Sequence, residues 1–164
     1  MFFAGFALFL NGVSYYVAFN RKILGYVNLF AAFFIIINTT VGLEFADGAI
    51  ENYANAAAAF AFALNFLIIG IHHVKGADDF VLFGWFSFLM SLVSIMFVLQ
   101  SVATSAGWLF VYLWAMWAVL WGQAFVASAL KVKAVDKLSP LIVIVNSIGS
   151  LIAPAILLLF GVLP

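Results

Sequence analysis

The sequence predicts an all-α membrane protein, a bundle of six transmembrane helices with both termini outside. Three observations carry that prediction. Of the 164 residues, 68% are hydrophobic and only 7% charged, with a mean hydropathy of +1.28, where a soluble domain carries about 25% charge. The apolar residues fall into six runs near the length of about 20 residues that crosses a bilayer. Finally, all six basic side chains lie in alternate breaks between those runs.

The runs follow in order. The first, 2–19, has no positive charge ahead of it, so it reads as a transmembrane helix and not as a signal peptide. Asn20-Arg21-Lys22 separates it from the second, 23–42. A break at 43–52 holds Glu44, Asp47 and Glu51, and the third run spans 54–71; its four alanines at 56–59 suit close helix packing. HHVKGADD, residues 72–79, precedes the fourth run at 80–99. A small neutral turn at 100–106 leads to the fifth, 107–130. KVKAVDK, residues 131–137, comes before the sixth, 139–163, where Ser139 is a predicted N-cap and Pro140 fits a first helical turn. Uninterrupted apolar runs of this length are helices; barrel strands need about 10 residues of alternating polarity.

With six spans, the first, third and fifth breaks share a side. They contain Arg21, Lys22, Lys75, Lys131, Lys133 and Lys137, and the opposite side has Glu44, Asp47 and Glu51 with no basic residue. The positive-inside rule places the basic breaks in the cytoplasm. Three spans precede and three follow the HHVKGADD break, so an internal repeat would be inverted, but the halves show no convincing similarity. The chain is one domain, 1–164.

Several function classes fall away. Six spans use about 120 residues, which leaves no room for a soluble catalytic domain. The absence of cysteine excludes disulfides, thiolate metal sites and cysteine nucleophiles. Zero net charge gives no basis for binding nucleic acid. Nucleotide loops, carboxylate pairs and Ser/His/Asp sets are absent, so an enzyme is disfavoured, and no cofactor or metal is implied. No Asp, Glu, Lys or Arg falls inside a span, whereas pumps and coupled carriers keep such groups at depth. His72 and His73 sit at a helix end; being adjacent they do not face one site, and they read as interfacial.

The spans do contain amides: Asn11, Asn28, Asn38, Asn65 and Asn146. An amide in hydrocarbon needs a partner. Interhelical hydrogen bonding and a polar path both supply one, and the count alone does not separate them. The fifth span is more specific. Phe110, Trp114, Trp117 and Trp121 follow i, i+4, i+7, i+11, which at about 100° per residue confines them to about 60° of the helix. They form one aromatic stripe about 16 Å long. Belt residues belong at span ends, which suits Trp108, whereas Trp117 lies near mid-span. Phe62 and Phe66 add an i, i+4 pair in the third span, and Gln123 a polar group near the cytoplasmic mouth. Such a slot suits a flat, neutral molecule; ordinary helix packing is the rival explanation.

The run from Trp114 through Trp117, Leu120 and Trp121 to Phe125 resembles the fifth-helix signature of the AmiS/UreI family of bacterial urea and short-chain amide channels. Leu8 to Gly12, Phe62 to Phe66, His73 to Asp78, Trp85 to Ser87 and Leu138 to Pro140 resemble the family in the same order. The resemblance implies a passive pore through each six-helix protomer, a homo-hexameric ring in lipid, and location in the bacterial cytoplasmic (inner) membrane. The pathway residues it implies are Ala4, Leu8, Asn11, Phe62, Phe66, Phe110, Trp114, Trp117, Leu120 and Trp121. Gln123 and Asn146 join them as polar groups that hand solutes along. The solute would be urea or an acetamide-like amide, feeding a cytoplasmic urease or amidase.

Two departures stand out. Acid-gated urea channels carry a Glu on helix six where this chain has Asn146, which offers a donor and an acceptor but cannot titrate. Their gating also uses histidine in a long outer loop, and the 43–52 break is short and has none. The expectation is a channel without acid gating. A non-transporting scaffold or accessory subunit is the rival from another class, and a proton-coupled carrier a more distant one.

Overall fold

The computed structural model describes residues 2–46, 48 and 50–162, apart from the side chains of Ile50 and Glu51. Asp47, expected on the outer side, lies outside the described residues, as do the side chain of Glu51 and the last residue of the sixth run. Every regular element among them is helical: α1 (Phe2–Val13), α2 (Arg21–Glu44), α3 (Ile50–Lys75), α4 (Val81–Ala103), α5 (Trp108–Ser128) and α6 (Lys133–Asn146). A π-helical turn (Ser147–Ile152) then joins α6 to α7 (Ala153–Leu159). The last three form one rod, Lys133–Leu159. Among the described residues this rod and α2 to α5 are the five helices long and apolar enough to cross a membrane, and the protein is a membrane protein. Large apolar side chains such as Phe30, Phe33, Leu89 and Met96 face outward, a surface suited to lipid.

Local chemistry sets the ends. Asn20 caps α2, its side chain accepting from the backbone N–H of Lys22 and Ile23 at 3.0 and 3.3 Å. α3 continues through His72 and His73 to Lys75, a cation that favours a helix C-terminus. It stops at Gly76, φ +67°, in a Schellman pattern: Ala77 N–H bonds to His72 O and Gly76 N–H to His73 O.

Two expected boundaries move furthest. α1 ends at Val13 rather than residue 19; its 12 residues give about 18 Å of helix. Beyond it the Ser14 hydroxyl bonds to Asn11 O, and the amides of Tyr15 to Val17 close tight turns. The sixth helix starts at Lys133 and not at Ser139, with Val132 at its cap and Asp136 in its first turn, where the helix dipole favours an acid. Pro140 therefore sits inside the helix, and Ser139 is no cap: its hydroxyl bonds to Gln123 Oε1 and to Val135 O.

α2 packs along α3, and α4 along α5. At the α2–α3 crossing, a side chain at Gly25 would meet Gly70 O at 2.8 Å, so only glycine permits this approach. α1 lies against α6, the π turn and α2. Arg21 ties the first break to the third, pairing with Asp78 at 2.8 Å and donating to Ala77 O at 2.9 Å. The first, third and fifth breaks thus meet at one end of the bundle, as the charge alternation requires.

Candidate functional site

α3 and α5 face each other with aromatic side chains at helical spacing. Phe62 stacks on Trp117, centroids 5.3 Å apart and planes 22° apart. It meets Trp121 edge-to-face at 5.5 Å and Phe66 edge-to-face at 5.3 Å. Trp114 extends the chain of rings, at 4.9 Å from Trp117 and stacked on Phe97 of α4 at 4.2 Å. Ala4 and Leu8 of α1, Leu120, and Leu151 of the π turn complete the buried cluster. No charged side chain belongs to it.

The π turn holds one of these rings. Trp117 Nε1 donates to Ser150 Oγ at 3.0 Å. Ser150 Oγ lies 2.8 Å from Asn146 Oδ1 and 2.7 Å from Asn146 O, one proton serving both. Asn146 Nδ2 donates to Met116 O. In the π register, residue 154 would donate to Gly149 O, but Pro154 has no N–H. Tyr112 OH takes that carbonyl at 3.2 Å. The approach needs glycine, because a Cβ at 149 would lie 2.9 Å from the hydroxyl.

On the other side of the cluster opens a cavity of about 760 Å³, reaching toward the basic breaks. Leu8, Asn11, Asn65, Leu120, Trp121 and Gln123 line its depth, while Arg21, Asp78, Lys131 and Asp136 stand toward the breaks. Three residues that line it each carry a fully covered polar atom with no hydrogen-bond partner: Asn65 Oδ1, Trp121 Nε1 and His73 Nδ1. Asn11 is different. It exchanges two 2.8 Å hydrogen bonds with Asn28, which also donates to Leu24 O. His72 has each ring nitrogen 2.9 Å from a backbone carbonyl, of Ile68 and Asp79. Among the described residues no group of His, Asp and Glu could hold a metal ion.

The structure thus gathers Ala4, Leu8, Phe62, Phe66, Trp117, Leu120 and Trp121 into one cluster, with Trp114 beside it. Asn11 and Gln123 line the adjoining cavity. Phe110 does not join: it is 52% exposed, in the first turn of α5. Asn146 is 1% exposed and engaged with Met116 and Ser150 rather than lining the cavity. Sequence reasoning read Ser139 only as a cap and passed over Ser150, because a serine in an apolar helix gives no signal of which neighbour it will bond. It noted Asn65 only as one amide among several; its position three residues after Phe62 was the available clue.

The model of the AmiS/UreI family transporters matches residues 1–162. The chain belongs to the AmiS/UreI family. A Mycolicibacterium smegmatis protein whose name describes an amidate substrates transporter is 22% identical over 161 residues, covering 98% of this chain and 75% of that one. Two structures of the Helicobacter pylori urea channel share the fold. The closed-state structure superposes with a TM-score of 0.83 at 21% identity, over 99% of this chain and 96% of that one. The crystal structure gives 0.80 at 22% identity, over 97% and 94%. The AmiS/UreI family and these neighbours are transporters and channels, not enzymes.

Proposed function

We propose that the protein is a passive channel conducting urea, small aliphatic amides or both across the bacterial inner membrane, through an aromatic-lined pore in each protomer. The observation that supports it best is the chain of rings from Trp114 through Trp117 and Phe62 to Trp121, whose last member lines the open cavity. A charge-free aromatic constriction offers an ion nothing to replace its hydration shell. A planar, neutral solute loses far less there, because its faces meet ring faces. The rings touch, so passage requires side-chain rotation, a motion of picoseconds to nanoseconds for free side chains and slower in a packed cluster.

In this reading protomers assemble as a hexameric ring, both termini lie outside, and the solute feeds a cytoplasmic urease or amidase. The cavity mouth, at the breaks that carry all the basic residues, faces the cytoplasm. The pore is not acid-gated: the described part of the outer break contains no histidine, and Asn146 cannot titrate. Stopped-flow light scattering on proteoliposomes tests the conduction and the absence of acid gating. Urea or acetamide should enter much faster than glycerol, with rates at pH 5 and pH 7 within about twofold. Fluxes equal to those of empty vesicles, from folded protein, would favour the scaffold reading. A strong rise at pH 5 would end the claim of no acid gating.

A further inference from the structure

Resting on the channel reading, we propose that Asn65 and Trp121 form a two-point binding station for the solute, immediately on the cavity side of the aromatic constriction. Both side chains are almost completely buried, 1% and 2% exposed, and both line the cavity. Both carry a polar atom with no partner in the protein; each atom is itself covered, so a solute reaches it when the side chains turn to let the solute pass. Burying such an atom unbonded is unfavourable, and two beside one cavity point to a bound molecule that relieves the penalty.

The two atoms are of opposite kinds. Trp121 Nε1–H can only donate, and Asn65 Oδ1 can only accept. Both residues flank the same ring: Trp121 lies edge-on to Phe62, and Asn65 follows Phe62 by three residues on α3, one helical turn away. A urea or carboxamide molecule presents the complement. Its carbonyl oxygen accepts from the indole N–H, while its NH₂ donates to the Asn65 oxygen. Leu8 and Leu120, which line the same cavity, give the flat solute an apolar wall. Gln123, nearer the breaks, has its Oε1 already taken by Ser139, which leaves Asn65 as the acceptor next to the rings. The station therefore selects neutral solutes that carry both a carbonyl and an N–H.

The test is urea and acetamide uptake over a concentration series, with the full chain and its Asn65→Leu and Trp121→Phe variants in vesicles. Osmotic water permeability and elution in detergent serve as controls. Losing one hydrogen bond should raise the half-saturating solute concentration about five- to tenfold in each variant. Asn65→Ala replaces the leucine variant if the latter does not assemble. Unchanged half-saturation in both variants would overturn the station, leaving the two atoms to trapped water. A shift in only one would overturn the two-point arrangement. Wild-type vesicles without solute uptake would remove the channel reading and the station together, whereas a conducting wild type with unaffected variants removes the station alone.

Discussion

Asn28 and Asn65 are the same residue at nearly the same depth of burial, 0% and 1% exposed, on neighbouring helices. Asn28 exchanges two hydrogen bonds with Asn11 and makes a third to Leu24 O. Asn65 lines the cavity, and its buried Oδ1 has no partner. The difference lies in what stands opposite. On the α1–α2 side a second amide closes the valence, and at the end of α6 Ser150 and Met116 do the same for Asn146. Between α3 and α5 nothing from the protein does. An amide in a span thus announces only that a partner is needed. Whether it is glue between helices or part of a path depends on whether that partner is protein.

The contrast can be broken most forcefully at the constriction. Trp117→Ala removes the ring stacked on Phe62 and leaves the Asn11–Asn28 pair intact. Assembly should survive, while the ratio of urea to glycerol uptake changes about tenfold, equivalent to about 1.4 kcal/mol of discrimination. Uptake of urea and acetamide like wild type, from folded variant, would take the aromatic stripe out of the mechanism.

The opposite substitution is Asn28→Leu. It strands Asn11, whose Oδ1 and Nδ2 both lose their partner. The expected loss is about 1–3 kcal/mol of stability, nearer the lower figure because Asn11 lines the cavity and can reach water. Thermal unfolding in detergent would show it as a lowered midpoint. Urea flux per assembled protein should remain within about twofold. A large flux defect with unchanged stability would place Asn28 in the path and erase the distinction between the two amides.

What the sequence made legible follows the same division. The all-helical membrane fold could be read because apolar run length and charge alternation are properties of the chain itself. The meeting of Arg21, Asp78 and Lys131 at one end bears out the alternation. The Trp117–Trp121 stripe was legible because helical period places both on one face. The same period put Phe110 there too, but it stands in the first turn of α5, where the face is exposed. The start of the sixth helix was misplaced because a serine followed by a proline looks like a cap, whereas Lys133 to Lys137 make an adequate first turn and carry the helix past it. Asn146 was expected to face solutes. Its rotation depends on the π turn, which arises where Pro154, Gly149 and Tyr112 fit together, and no local period encodes that.

The smallest effect is expected at the cavity rim, where Arg21 pairs with Asp78. Their side chains are 47% and 86% exposed, so water and salt screen the attraction, and such pairs contribute under about 1 kcal/mol. Arg21 also donates to Ala77 O, holding the break between α3 and α4 against the start of α2. Arg21→Ala should therefore lower the unfolding midpoint only slightly, and the deficit should shrink further as salt is raised. Half-saturation for urea should not move, because the rim guanidinium lies in the outward reach of the cavity and not at Asn65. A several-fold change in half-saturation would show that solute is already held at the rim. The polar atoms beside the aromatic cluster would then be one stage of a longer path, with selection shared between the two.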